Sequence, residues 1–145
     1  LTLTHSQVKK DLGKASSVRC SDSLYVLPSF NYLTKEFLPW FGGYLKSRGM
    51  TFSGERFDCD DFAHEFAARL REAGLKLKER AAVAVAVMQV TNLRTSFGIA
   101  QGEHMLNLVG VKTNNGHDWL VIEPQNQKYV FLKDYTSAGN LRITF

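Results

Sequence analysis

Arg56-Phe57-Asp58-Cys59-Asp60-Asp61-Phe62-Ala63 is where a loop turns into a helix, and the reading of the whole chain depends on it. From Cys59 to Ala73 the apolar residues Phe62, Phe66 and Leu70 fall on one stripe, with Gly74 as the stop. Asp58 suits the N-cap, which makes Cys59 the first helical residue, beside backbone N–H groups that have no partner within the helix. That position favours a thiolate and supplies donors for a developing oxyanion. The competing account of Cys59 is packing, because free cysteines are among the most buried residue types.

Upstream, Thr4 to Leu12 reads as a short polar helix ending at Gly13. The stretch from Leu24 to Phe52 is rich in aromatics. Leu33, Phe37, Trp40, Phe41, Tyr44 and Leu45 recur there at helical spacing, and Pro39 and Gly42-Gly43 are expected to kink or split that helix. These aromatics pack against the Cys59 helix in the plain reading. In the sharper one Trp40 and Tyr44 line a substrate groove.

Downstream the period changes to that of strands. Ala81 to Val90 places Val83, Val85 and Val87 on one face and alanines on the other, the small face being where the Cys59 helix would lie. Thr91 to Gly102 reads as a loop. Strands follow at His104–Lys112 and Asp118–Glu123, joined through Thr113-Asn114-Asn115-Gly116, whose Asn-Gly pair is a strong hairpin signal. Lys128–Lys133 and Leu141–Phe145 are further strands. Helices first and antiparallel strands second predict an α+β fold, N-terminal helices packed on an antiparallel sheet.

The 145 residues fit a single domain, 1–145, with no internal repeat or linker, and are enough to bury a core. The 44% hydrophobic and 22% charged content is that of an ordinary soluble globular protein. No apolar run is long enough to span a membrane. The net charge of +4 is mild, and no Lys/Arg run argues for nucleic acid. Cys20 and Cys59 are too few for a disulfide scaffold, though they could form one bridge that would silence Cys59. The chain opens at Leu1 without an initiator methionine or a leader, which reads as a processed protein or a domain of a larger one.

A nucleophilic thiol needs a base, and Gly102-Glu103-His104 offers one. If the hairpin turn pairs Lys112 with His117, His104 stands opposite Gln125 and Glu123 lies diagonally across, within reach of a long side chain. A carboxylate both orients an imidazole and stabilises its cation, which favours Glu123. An amide can orient it too, so Gln125 is the competing orienter. His5, His64 and His117 read as surface residues.

With Cys59-Asp60-Asp61-Phe62-Ala63, Glu103-His104-Met105-Leu106-Asn107 and Trp119-Leu120-Val121-Ile122-Glu123-Pro124-Gln125 in hand, the chain resembles papain-like and transglutaminase-like cysteine peptidases. The likeness is greatest to the protease domain of the fungal agglutinins. It covers roughly residues 25 to 130 and implies a papain-like fold in which Cys59 is the nucleophile, His104 the base and then the acid, and Glu123 its orienter. One departure is that Ser53-Gly54-Glu55-Arg56 lacks the glutamine that completes papain's oxyanion hole. Another is that no trefoil-like repeat of a sugar-binding domain appears.

Asp58, Asp60 and Asp61 raise a physical difficulty, since negative charge beside a thiol opposes its ionisation. Acids at a helix start commonly do no more than cap it. Alternatively Asp60 and Asp61 hold a hard cation that offsets the charge, and the resemblance implies calcium as an activator rather than a cofactor of the chemistry. The expectation is therefore a thiol hydrolase acting on peptide or isopeptide bonds of a peptide or protein substrate through an acyl-enzyme. Its alternatives are a peptidoglycan amidase or endopeptidase with the same triad, and a non-catalytic metal- or partner-binding domain.

Overall fold

A computed structural model of the chain describes residues 1–54, 57–77, 80–95, 98–135 and 141–145, with the side chains of 91–102 excepted. Strand β1 (Thr2–Thr4) leads into helix α1 (His5–Asp11), followed by β2 (Ser17–Arg19) and β3 (Leu24–Val26). Helix α2 (Phe30–Tyr32) passes through a π-helical turn (Leu33–Phe37) into α3 (Leu38–Ser47). Helix α4 (Cys59–Gly74) precedes β4 (Ala82–Val83), β5 (Val85–Thr95), β6 (Gly98–Thr113), β7 (Gly116–Glu123) and β8 (Lys128–Phe131). A 3-10 turn (Leu132–Asp134) and β9 (Leu141–Thr144) complete the described elements.

The architecture is α+β and mostly sheet. The main sheet runs β2-β9-β5-β6-β7-β8 and a small one runs β1-β3-β4. The expected wholly antiparallel sheet is corrected in two places, because β2 lies parallel to β9 and β3 parallel to β4. Thr91–Gly102, expected as a loop, instead extends β5 and β6 into a long hairpin, with Leu93 paired to Ala100 and Thr95 to Gly98 past a register shift. Ser96 and Phe97 of that stretch lie outside the described residues. Along β6 and β7 the register is the one the turn spacing demands, with Lys112 opposite His117 and Thr113 opposite Gly116. Gly116 takes φ +124° there, a conformation L side chains rarely adopt.

The sheet has a core on each face. Toward α4 it presents Val85, Val109, Val111, Leu120 and Ile122, which enclose Phe37, Phe41, Phe62, Phe66 and Leu70. Phe66 meets the rings of Phe37 and Phe41 edge-on at 5.4 and 5.1 Å. The opposite face carries Ala84, Ala86, Met88, Leu106, Leu108, Val121 and Ile143, clustered with Val8 and Tyr25. It is thus the valine face that meets α4, and the alanine face that lies under the N-terminal segment.

Pro39 does not break the aromatic helix. Proline cannot donate to the carbonyl four residues back and its ring crowds it; the wider π turn just before, where Leu38 N–H reaches Leu33 O, takes up the misfit. Gly42 serves a close approach rather than a kink. A Cβ there would stand 2.6 Å from Gln127 Oε1, whose side chain enters from the β7–β8 turn.

Candidate functional site

Cys59 stands in the first turn of α4. Asp58 caps the helix in an extended conformation, and its N–H donates to Asp61 Oδ2 at 3.1 Å. Asn107 of β6, wholly buried, fixes the helix against the sheet, its Nδ2 donating to Ala63 O at 2.9 Å and Ala86 O at 3.2 Å. The Cys59 thiol accepts the backbone N–H of Met105, so it is tied to β6 one residue beyond His104. Burial, more than any other effect, pushes the thiol above its ordinary range, and the Asp58 and Asp60 carboxylates push the same way. The N–H groups of Met105 and of Cys59 itself act in the opposite direction. The resting group is therefore a protonated thiol with stabilising donors already in place.

His104 lies inside β6, not at its start, because the strand begins at Gly98. Its Nε2 meets Glu123 Oε2 at 2.6 Å, with both side chains largely buried. Glu123 Oε1 accepts the backbone N–H of Gln125 at 3.3 Å, so both carboxylate oxygens are held. Gln125 thus acts through its backbone on Glu123. With Nε2 engaged, Nδ1 is the nitrogen left to exchange a proton. Cys59 and His104 are not hydrogen-bonded to each other among the described residues; Met105 is the link between them.

Tyr135 is a neighbour that periodicity could not reveal. Burial, followed by the Glu123 carboxylate, raises its phenol well above the usual range, so it stays a neutral hydroxyl beside the acid. Asn107 was equally hidden, although a lone polar residue in an apolar strand is a signal of its kind. Cys20 and Cys59 form no bridge; both are free.

Asp58, Asp60 and Asp61 bring one ligand atom each within 4.8 Å of one another, so these three carboxylates are the group among the described residues with the chemistry for a hard cation. Asp58 is raised above the usual carboxylate range, chiefly by a side-chain hydrogen bond with Asp60.

Trp40 and Tyr44 are not at the thiol. They line a separate groove between the aromatic helix and the later turns of α4, beside Arg69, which stands about 15 Å along the helix axis from Cys59. His64 is exposed, His5 half-buried, and His117 pairs with Asp11 Oδ2 at 2.7 Å.

No protein-family model matches the chain, and no curated protein matches it in sequence. Among the solved structures that share its fold, two match over its entire length. One is described as PSL1a in complex with E64, at 22% identity and a TM-score of 0.68. The other is Polyporus squamosus lectin bound to the human-type influenza-binding epitope Neu5Acα2-6Galβ1-4GlcNAc, at 21% identity and a TM-score of 0.68. Each comparison covers 100% of this chain and 50% of the other, so the chain spans half the length of these lectin chains.

That finding corrects the expected identity. The structures the fold matches carry the name of a lectin, one holding a glycan, and neither is described as a papain-like or transglutaminase-like peptidase. The thiol hydrolase cleaving peptide or isopeptide bonds is withdrawn on that ground, and with it the assignment as a cysteine peptidase. The peptidoglycan amidase and the metal- or partner-binding domain fall with it. Short motifs around Cys59, His104 and Glu123 carried the resemblance, and a constellation of three residue types does not specify the protein that bears it. No helix among the described residues is long and apolar enough to cross a membrane.

Proposed function

We propose that this chain serves in a lectin-class, glycan-binding protein and contributes to it a histidine-assisted thiol able to capture electrophiles. The observation that carries the thiol is the 2.6 Å contact of His104 Nε2 with Glu123 Oε2, in the strand segment whose next N–H holds Cys59. Glu123 accepts the Nε2 proton, which leaves Nδ1 with the lone pair that can take a thiol proton. Because the resting thiol is protonated, proton transfer and attack are coupled. Sγ bonds to the electrophilic carbon as its proton passes to His104. The donors on Met105 and Cys59 stabilise the sulfur's negative charge until the new bond forms. Turnover of a peptide bond is no part of the proposal.

Two features of the neighbours support this reading. One was solved with E64 and the other with a sialylated glycan. E-64 is an epoxide that reacts with thiolates. Sγ would open the ring, the ring C–O bond would break, and the thiol's proton would end on the released alkoxide.

Intact-mass kinetics with E-64 test the proposal. One adduct on Cys59 is expected, none on Cys59→Ala, and a rate about 10²-fold lower in His104→Ala, the usual contribution of a positioned base. An unreacted parent, or a His104→Ala variant labelled as fast as the parent, would overturn it.

A further inference from the structure

We infer that Gln127 is a positioning residue for the His104–Glu123 pair, and that Gly42 of the aromatic helix α3 is the seat that holds it. The inference deepens the thiol reading proposed above, on which its meaning for reactivity rests. It starts from an outlier in the backbone. Gln127 takes φ +60°, and among the described residues the other positive φ angles all belong to glycines, Gly49, Gly54 and Gly116. The left-handed region disfavours any residue with a Cβ, and glutamine lacks the short side chain by which asparagine and aspartate ease it. Such a conformation persists where its surroundings over-determine it, and it gathers at functional sites.

Two hydrogen bonds tie Gln127 to the turn that carries the acid. Its N–H donates to Glu123 O at 2.9 Å, which closes the turn on the acid's own residue. Its Nε2 donates to Pro124 O at 2.8 Å, one peptide further on. The same turn brings the Gln125 N–H to Glu123 Oε1 at 3.3 Å, leaving Oε2 for His104 Nε2 at 2.6 Å. The backbone from Glu123 to Gln127 thus fixes which oxygen faces the imidazole, and Gln127 closes that backbone.

A third contact anchors the turn to the helix layer. A Cβ on Gly42 would stand 2.6 Å from Gln127 Oε1 and 3.2 Å from its Cδ, so the amide could make room only by swinging away from Pro124 O. Gly43, one residue on, has nothing within 4 Å of such a Cβ, although each glycine lowers helix propensity alike. Gly42 therefore serves the amide of Gln127 and Gly43 does not. A glycine at position 127 would take the same φ without strain but would leave the amide's place empty, so the side chain is what the strained residue supplies.

The test pairs E-64 capture at Cys59, read by intact mass, with the exchange rate of the His104 Nε2 proton, read by NMR, which depends on the Glu123 contact and not on the thiol. In Gln127→Gly the relieved backbone offsets the lost hydrogen bond, so the melting temperature should stay near the parent's. The Nε2 proton should exchange about tenfold faster and capture should slow about tenfold, part of what a misplaced catalytic group costs. Gly42→Ala should do the same and Gly43→Ala neither. The double variant of Gln127→Gly and Gly42→Ala should be no worse than Gln127→Gly alone, since the added Cβ then has no amide to displace. Faster exchange in these variants, with a parent inert to E-64, would sink the thiol reading and leave the positioning role standing. Unchanged exchange in Gln127→Gly would overturn the inference whatever the capture rate. Additive effects of the two substitutions, or equal damage from Gly43→Ala, would overturn it as well by tracing the loss to α3 itself.

Discussion

Glu123 and Gln125 differ by two positions and by everything that matters to His104. The Glu123 carboxylate touches the imidazole, whereas Gln125 contributes a backbone N–H that any residue but proline could supply. Glu123→Gln should therefore keep the fold but slow E-64 capture by about 10²-fold, since an amide can orient the ring without stabilising its cation. Gln125→Ala should leave the rate within about twofold of the parent on the same grounds. Stopped-time mass spectra of the two variants decide this, and greater damage from Gln125→Ala would show that the orienter is misassigned.

The acids around Cys59 make a second prediction at this scale. Burial and the Asp58 and Asp60 carboxylates raise the thiol, so the reactive thiolate gains population only as pH climbs through that raised value. Asp60→Asn removes one of the opposing charges. Its alkylation profile should move to lower pH, with a rate at neutral pH roughly threefold above the parent's. Calcium, if the three carboxylates hold it, is expected to produce the same shift in the parent and little further change in Asp60→Asn. A parent indifferent to both calcium and EGTA would leave the acids as helix caps alone.

Among the elements, α4 depends on close approach at its far end. Gly74 is the last residue of the helix, and a Cβ there would run into Val83 Cγ2 of β4. Helix propensity favours Gly74→Ala by about 1 kcal/mol, but overpacking costs about 1–3 kcal/mol and should win. Denaturant unfolding is expected to show a lower midpoint for Gly74→Ala, and a higher midpoint would mean that β4 yields at no cost. At the near end Asn107 ties the helix to two strands. Asn107→Ala should destabilise the chain by about 1–3 kcal/mol by removing two buried hydrogen bonds, and should also slow Cys59 alkylation. Stability lost without any change in alkylation would separate Asn107 from the positioning of the thiol.

Across the whole molecule, what could be read from the sequence was local. The start of α4 at Cys59 follows from a cap and an apolar stripe, and the β6–β7 register from a turn of four residues, so the meeting of His104 with Glu123 was within reach. The short strands were not. β1, β2 and β3 have three residues each, too few to show a period, and β2 is made a strand by β9 at the other end of the chain. Alternation divided the β4–β5 segment correctly into valine and alanine faces, but which face meets α4 depends on elements distant in sequence, with Val8 and Tyr25 clustered on the alanine side. The identity went wrong for a related reason. Three residue types at suitable spacing describe a local arrangement, whereas the lectin likeness emerges only when the entire fold is superposed.

The central claim is that Cys59 is set apart from an ordinary half-buried thiol by His104 and Glu123, and the chain contains its own reference. Cys20 is also free, also partly buried and also raised by burial, but it has Tyr25 and Lys9 as its nearby groups in place of the His104–Glu123 pair. The most direct measurement is brief treatment of the folded chain with limiting iodoacetamide near neutral pH, followed by peptide mapping of both cysteines. The account predicts that Cys59 takes up label at least about tenfold faster than Cys20, and that the difference disappears in His104→Ala. Equal labelling of the two cysteines in the parent would contradict it.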